Sequence, residues 1–173
     1  MEQRMSMNIQ GNILHEERIH FYLVSLIFIP LIFIFSAILL YQIFVAPIGS
    51  KPAPNWFFLL MIIIFLIFEL GFHSYYLIIT SDQLIVGFPM YKKYIPWNKI
   101  KDAKIDTKNA WRYGGYGIRV VSKKGKKTLV IIIPGTKKLT LKLKDLKWDS
   151  IVVSVKNVDN ALNYIRQEIE IHK

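Results

Sequence analysis

The amino-acid sequence predicts an α+β membrane protein, in which a two-helix transmembrane hairpin is followed by a bent antiparallel β-sheet domain with a C-terminal α-helix. Three observations predict this class. Two long apolar runs occupy residues 21–45 and 56–79, and short segments of alternating apolar and polar residues fill residues 80–156. An apolar stripe at helical spacing then follows to the end of the chain.

Residues 1–20 are polar and mixed in charge, and we interpret them as a cytoplasmic N-terminal segment. A cleaved secretory signal is not expected, because the next apolar run is too long and lacks a small-residue cleavage site. His15, Glu16, Glu17 and His20 could be drawn as a metal cluster. Their position just before a span favours a wet, flexible interface instead, and we predict no metal site.

Residues 21–79 are predicted to form the hairpin, with helices at about 21–45 and 56–79, each long enough for a hydrocarbon core of about 30 Å. The connector 46–55 carries three prolines and a glycine and must turn the chain. Trp56 at one end, and Tyr75 with Tyr76 at the other, are predicted to lie at the water boundaries.

Glu69 and His73 are the two polar candidates within the second apolar run, and their spacing of four residues places them on one helix face. Because an ionised carboxylate in hydrocarbon is costly, we expect Glu69 to bond to Ser25, to His73 or to a second copy of the chain. Proton or cation handling by this pair is the alternative.

Charge is distributed unevenly along the chain. Residues 80–173 contain 20 Lys and Arg against 8 Asp and Glu, whereas the connector between the spans holds only Lys51. Since positive loops stay on the cytoplasmic side, we predict a multi-pass protein of the cell membrane with both termini in the cytoplasm and the connector outside.

Residues 80–173 are interpreted as a cytoplasmic domain of about seven short strands and one helix. Predicted strands lie at 84–88, 94–95, 103–105, 117–122, 128–133, 139–143 and 151–155. Gly125 is expected to supply the positive φ of a tight hairpin turn. Asn157 is a suitable N-cap for the last helix, whose predicted buried positions are Val158, Leu162, Ile165 and Ile169.

The strong positive charge of this domain favours a polyanionic partner. Nucleic acid would fit the charge and the exposed aromatics, but two spans hold the domain at a bilayer, so anionic lipid is the nearer polyanion and no nucleic-acid partner is predicted. The predicted lipid-binding residues crowd a hairpin tip and the wet side of one strand: Lys123, Lys124, Lys126, Lys127, Lys138, Lys142 and Lys144. A solvated lysine-rich face with no specific role is the alternative.

Several segments resemble the bacterial pleckstrin-homology-like domains found behind transmembrane hairpins in small prokaryotic membrane proteins. They are LIITSDQLIV (77–86), IPWNKI (95–100), WRYGGYGIR (111–119) and NVDNAL (157–162). The resemblance covers about residues 75–172. It implies a seven-stranded, strongly bent sheet closed at one end by the helix, with no catalytic residues to transfer. The basic pattern of phosphoinositide-binding members does not align, so stereospecific phosphoinositide binding is not implied.

The glycine-rich segment 111–119 is the most specific part of this resemblance. Three glycines at 114, 115 and 117 superficially suggest a nucleotide loop, but a strand pattern follows them where such a loop would open a helix. We interpret them as a sharp bend and predict a shallow partner-binding groove formed by Trp111, Tyr113 and Tyr116.

Enzyme motifs are not found. The chain has no cysteine, and it contains no phosphate-binding GxxxxGK[ST] loop, no HExxH helix and no GxSxG elbow. We therefore expect a non-enzymatic binding or scaffold module without cofactor, facing anionic lipid, a membrane-protein partner or a second copy. The alternatives are a membrane enzyme or transporter component that uses Glu69 and His73, and an immunity or stress protein that protects the membrane from peptides.

Overall fold

A computed structural model describes residues 11–123 and 125–172. The described residues form nine strands and three α-helices. Their order is β1 (Ile13–His20), α1 (Tyr22–Phe44), α2 (Asn55–Phe72), β2 (Ser74–Thr80), β3 (Gln83–Phe88), β4 (Tyr91–Pro96), β5 (Ile100–Asp106), β6 (Gly117–Lys123), β7 (Lys126–Ile132), β8 (Lys137–Leu143), β9 (Ser150–Val155) and α3 (Val158–Ile171).

The chain divides into two compact units. The helical unit comprises His20–Ser74 with Phe88–Met90, and the β-rich unit comprises the residues before His20, Tyr75–Gly87 and the chain from Tyr91 onward. An α+β organisation is therefore present, but the β-rich unit is discontinuous in sequence. The helical hairpin interrupts it between its first and second strands.

Helices α1 and α2 are both long and apolar enough to cross a membrane. They pack on each other partly through aromatic rings, among them Phe28 on Phe68 and Phe35 on Phe65, with centroids 5.6 and 5.4 Å apart. Only 6% of the most apolar window of each helix is buried. Neither helix is therefore the covered core helix of a soluble domain.

The predicted end of the second helix at residue 79 is wrong. Helix α2 ends at Phe72, and Ser74–Thr80 forms strand β2. Tyr75 consequently lies fully buried in the β-rich unit, not at a water boundary. The error has a physical cause: β2 is buried on both faces, so it continues the apolar run without an alternating pattern that would separate strand from helix.

The β-rich unit contains two sheets, a four-stranded one in the order β1-β2-β3-β4 and a five-stranded one in the order β5-β8-β9-β7-β6. The predicted count of seven strands after residue 80 is confirmed, since β3 to β9 lie there, but β1 and β2 were not predicted. The prediction that all strands are antiparallel is wrong, because β7 runs parallel to β9. The described strands do not close into a barrel. Five predicted strands from residue 84 onward, those now numbered β3 and β6 to β9, are confirmed within two residues at each end.

Strand β1 also corrects the interpretation of residues 13–20 as part of a wet, flexible segment. In this strand Glu17 is only 5% exposed, although its residue type is polar. A buried carboxylate breaks the alternation of apolar and polar residues on which strand prediction depends.

Helix α3 is confirmed as predicted. The Asn157 side chain accepts a hydrogen bond from the Asn160 N–H, and Val158, Leu162, Ile165 and Ile169 are buried. Gly125 has a φ of +75°, as the predicted tight turn requires. Trp97 of the IPWNKI segment is buried and donates its indole N–H to the Thr80 carbonyl at 2.9 Å, so this segment has a structural role in holding strand ends together.

Candidate functional site

The lysines of the β6–β7 hairpin are exposed and lie close together. Lys123 is paired with Lys126 in the register, and both side chains are exposed, as is that of Lys127. None of the three forms a side-chain ion pair with another described residue, although the Lys127 backbone N–H donates to the Asp149 carboxylate at 2.7 Å. Lys124 lies outside the described residues. The described part of this predicted site is thus a concentrated positive charge with one carboxylate, that of Asp149, beside it.

Two of the predicted lysines, Lys138 and Lys142, lie in β8 and have a different environment. Lys138 lies opposite Asp106 of β5, and Lys142 lies opposite Asp102. Cross-strand pairs of opposite charge stabilise a sheet modestly and offset each other's field. Lys144 follows the end of β8, and its backbone N–H donates to the Lys99 carbonyl at 2.9 Å. The lysines predicted as one lipid-binding set therefore fall into two groups, one at the hairpin and one on or just after β8, where Asp102 and Asp106 lie opposite two of them.

A hydrogen-bond network anchors the start of the glycine-rich segment. The Asp106 carboxylate accepts hydrogen bonds from the Tyr113 hydroxyl, from Thr140 Oγ1 at 2.7 Å and from the Lys108 N–H at 2.8 Å. Burial opposes the charge of Asp106, but these three bonds outweigh it and lower the pKa of the carboxyl. Burial and the bond to Asp106 raise the pKa of the Tyr113 hydroxyl, so the neutral donor form is held.

Tyr113 was predicted to line a groove, and it does not. It is buried with Ala110 against Val130, Ile132 and Val152, on one face of the five-stranded sheet. The turn Ala110–Tyr113 covers this apolar patch, and Gly114 ends the turn with a φ of +82°. Tyr113 is a structural residue, so the prediction that it forms a groove with Trp111 and Tyr116 is wrong for this tyrosine.

Trp111 and Tyr116 remain on the surface, with 77% and 41% of their area exposed. Arg119 holds the segment between them, since its guanidinium donates to the carbonyls of Gly114 and Tyr116. An indole held out by a rigid turn is suited to contact a partner or a lipid surface. Of the three predicted partner-binding aromatics, these two are available.

Glu69 lies near the end of α2 and forms a predicted contact. Ser25 Oγ donates to Glu69 Oε1 at 2.6 Å, which confirms one of the expected bonds. His73 does not reach the carboxylate, because its Nδ1 lies 3.2 Å from the Glu69 backbone carbonyl. The other oxygen, Glu69 Oε2, is shielded from solvent and has no hydrogen-bond partner among the described residues.

Sequence reasoning missed one polar site, built around Glu17. Its carboxylate accepts the N–H groups of Lys156 and Asn157 at 2.6 and 2.9 Å, and His15 Nε2 lies 3.3 Å away. His15 also stacks on Tyr164 of α3, with centroids 5.4 Å apart. A cavity of about 660 Å³ borders these residues. The signal in the sequence was the group His15, Glu16, Glu17 and His20, which was weighed only as a metal cluster and set aside.

The carboxylate of Glu17 connects β1 to the start of α3, where the helix dipole also favours a negative charge. Since both of its oxygens accept hydrogen bonds from backbone N–H groups, we assign the residue a structural role.

Comparison of the chain with protein-family models, with curated proteins and with solved structures finds no match.

Proposed function

We propose that this protein is a membrane-anchored, non-enzymatic binding module with a pleckstrin-homology-like β-rich unit that contacts anionic lipid at the cytoplasmic face. The observation that carries the proposal is the insertion of an apolar helical hairpin into a basic β-rich unit. Only Phe21 separates β1 from α1, and only His73 separates α2 from β2. Such short junctions tether the β-rich unit closely to the membrane that the hairpin would span.

The number of strands supports the pleckstrin-homology-like architecture. Seven strands, β3 to β9, lie between residue 83 and the start of α3. Seven strands followed by a C-terminal helix are what the family resemblance implies.

The lysine-rich tip of the β6–β7 hairpin supports anionic lipid as the ligand. Each Lys or Arg close to an anionic membrane surface contributes about 1 kcal/mol, and salt weakens this attraction. Lys123, Lys126 and Lys127 are exposed, and their side chains form no ion pair with another described residue. The β8 lysines, which lie opposite Asp102 and Asp106, should contribute less.

Vesicle binding tests the lipid contact. The full chain, reconstituted in neutral nanodiscs, should co-sediment with added anionic vesicles and not with neutral vesicles. Salt at about 0.5 M, where the Debye length is only about 4 Å, should release it. Replacement of Lys123, Lys124, Lys126 and Lys127 by Glu should abolish binding. The matched control, Lys138→Glu with Lys142→Glu, should retain most of it. Equal loss in both variants, or binding to neutral vesicles, would contradict the proposed lipid contact.

One observation favours a second candidate function, proton or cation handling at Glu69. Its Oε2 atom is shielded and has no hydrogen-bond partner among the described residues, although Oε1 is bonded to Ser25. A carboxyl group in apolar surroundings can take up a proton at that oxygen. Flux of protons across proteoliposomes that disappears in Glu69→Gln would favour this function over the binding module.

A further inference from the structure

The two sheets have four outer strands, and three of them carry features that discourage pairing with another chain. Strand β1 directs the buried charge of Glu17 inward, β4 ends at Pro96, and β5 has a register shift between Ile100 and Asp102. Inward charges, prolines and bulges are the devices by which proteins protect sheet edges.

Strand β6 carries Arg119 and Lys123 but has no proline, no inward-facing carboxylate and no register shift. It pairs with β7 through all seven residues, Gly117 to Lys123, and it lies at the outer end of its sheet. No described strand pairs with its other side. Alternate residues of an edge strand turn their N–H and C=O groups outward, and Val120 at the centre of β6 is 56% exposed. The edge is therefore regular in register, and no described strand pairs with its outward N–H and C=O groups.

The two ends of β6 differ in chemistry. One end follows Tyr116 and the exposed Trp111, and the other end reaches the lysine pair Lys123 and Lys126. Six residue steps of a strand span about 20 Å, so the aromatic and basic ends are well separated along one edge. An extended segment of seven or so residues could contact both ends at once.

We propose that the free edge of β6 binds an extended acidic segment of a partner protein as an added strand. Its acidic end would lie beside Lys123, Lys126 and Lys127, and its apolar end beside Trp111. Main-chain hydrogen bonds provide affinity in such strand addition, and the side chains at each end provide specificity. Charge favours this partner over a second copy, since self-pairing would bring together two chains that each carry a net charge of +11.

This inference goes beyond the proposed lipid contact and does not depend on it. Val120 is not among the lysines proposed to contact lipid, so Val120→Pro should impair strand addition and leave vesicle binding unchanged. Replacement of the hairpin lysines by Glu should impair both. The two proposals can therefore fail separately.

The test begins with selection of peptides from a displayed library of random nonapeptides against the full chain in neutral nanodiscs. The recovered peptides should be depleted in Pro, rich in β-branched residues and acidic at one end. Their affinity, measured by fluorescence anisotropy, should fall at least tenfold for Val120→Pro, whose fold is checked by its melting temperature. Selection without an acidic, strand-forming consensus would overturn the proposal.

A second measurement keeps the test valid if Val120→Pro fails to fold. Two versions of a recovered peptide are made, with N-methyl groups on alternate amides in one phase or in the other. One phase should lose binding at least tenfold and the other should retain it, because only one set of amides faces β6. Equal behaviour of the two versions would overturn strand addition. Dimers of the protein that the peptide displaces would instead assign the edge to a second copy.

Discussion

The helical unit and the β-rich unit arrange polarity in opposite ways. In the hairpin, Leu26 and Phe33 point outward with more than 70% of their area exposed, while Ser25 and Glu69 bond to each other between the helices. In the β-rich unit, Leu129 and Ile131 are buried and lysines are outside. This difference is what the proposed membrane anchoring requires, with hydrocarbon around the helices and water around the sheets.

Two buried glutamates sharpen this comparison. Glu17 in the β-rich unit has both oxygens bonded to backbone N–H groups, and Glu69 in the hairpin has one oxygen bonded to a serine hydroxyl. A buried polar atom without a hydrogen-bond partner costs free energy, and a bonded one avoids that cost. Glu17 is therefore suited to hold β1 to the start of α3, whereas Glu69 keeps one oxygen, Oε2, without a partner among the described residues.

The largest expected effect comes from placing the same charge in each unit. Ile131→Asp puts an unpaired carboxylate in the sheet core and should abolish cooperative unfolding of the β-rich unit, as a loss of about 4 kcal/mol or more. Ile63→Asp, in the middle of α2, should leave that transition in place and reduce membrane integration, at a cost of about 2.5 to 3.5 kcal/mol. Circular dichroism and membrane fractionation measure the two outcomes. The same phenotype in both variants would break the comparison.

The next effect concerns Glu17. Glu17→Ala leaves the N–H groups of Lys156 and Asn157 without their acceptor, and we expect a loss of about 2 to 4 kcal/mol in the free energy of unfolding. Glu17→Gln should lose less, since its amide oxygen still accepts one bond. Glu16→Ala is the matched control, because Glu16 is exposed and adjacent. Denaturant titration of the full chain in detergent measures all three. An effect of Glu16→Ala as large as that of Glu17→Ala would contradict the role of the carboxylate.

A smaller effect is expected at the network that anchors the glycine-rich segment. Tyr113→Phe removes one donor to the Asp106 carboxylate and should cost about 1.5 to 3 kcal/mol at neutral pH. The folded-state pKa of Asp106 lies below its unfolded value, so its contribution is present above the unfolded pKa and is lost as the pH falls through the folded pKa. The difference between the wild-type protein and Asp106→Asn should therefore shrink on acidification below about pH 4. A difference that grows there would be inconsistent with the network.

The smallest effect is expected at the bond between the two helices. Ser25→Ala should cost about 0.6 to 2 kcal/mol in hairpin stability, measured by steric trapping in bicelles. Glu69→Gln should retain most of the stability if the bond to Ser25 is what matters, and Glu69→Leu should not. Normal stability of Glu69→Gln together with loss of a cellular phenotype would point to protonation as the role of Glu69.

The sequence predicted those elements whose periodicity is simple. Alternation identified β8, and helical spacing with an N-cap identified α3, since each has one buried and one wet face. Strands β1 and β2 were missed because one contains a buried glutamate and the other is apolar on both faces. The parallel pairing of β7 with β9 joins strands distant in sequence, and no local pattern encodes it.

The candidate sites were predictable to a similar extent. The hairpin lysines and the Ser25–Glu69 bond followed from charge clustering and from the cost of a carboxylate in hydrocarbon. The sequence could not show that Tyr113 is buried while Trp111 is exposed. Both are aromatic residues of one short turn, and only the sheet that Tyr113 covers distinguishes them.

Site-directed labelling tests the two-solvent account most directly. The chain has no cysteine, so Lys51→Cys, Ile63→Cys and Lys147→Cys each introduce one thiol, in the connector, in α2 and in the β-rich unit. In intact cells that express each variant, a membrane-impermeant maleimide should label the cysteine at position 51. The cysteine at 147 should react only after permeabilisation, and that at 63 only after detergent extraction. Labelling of positions 51 and 147 from the same side, or ready labelling of position 63, would contradict the account.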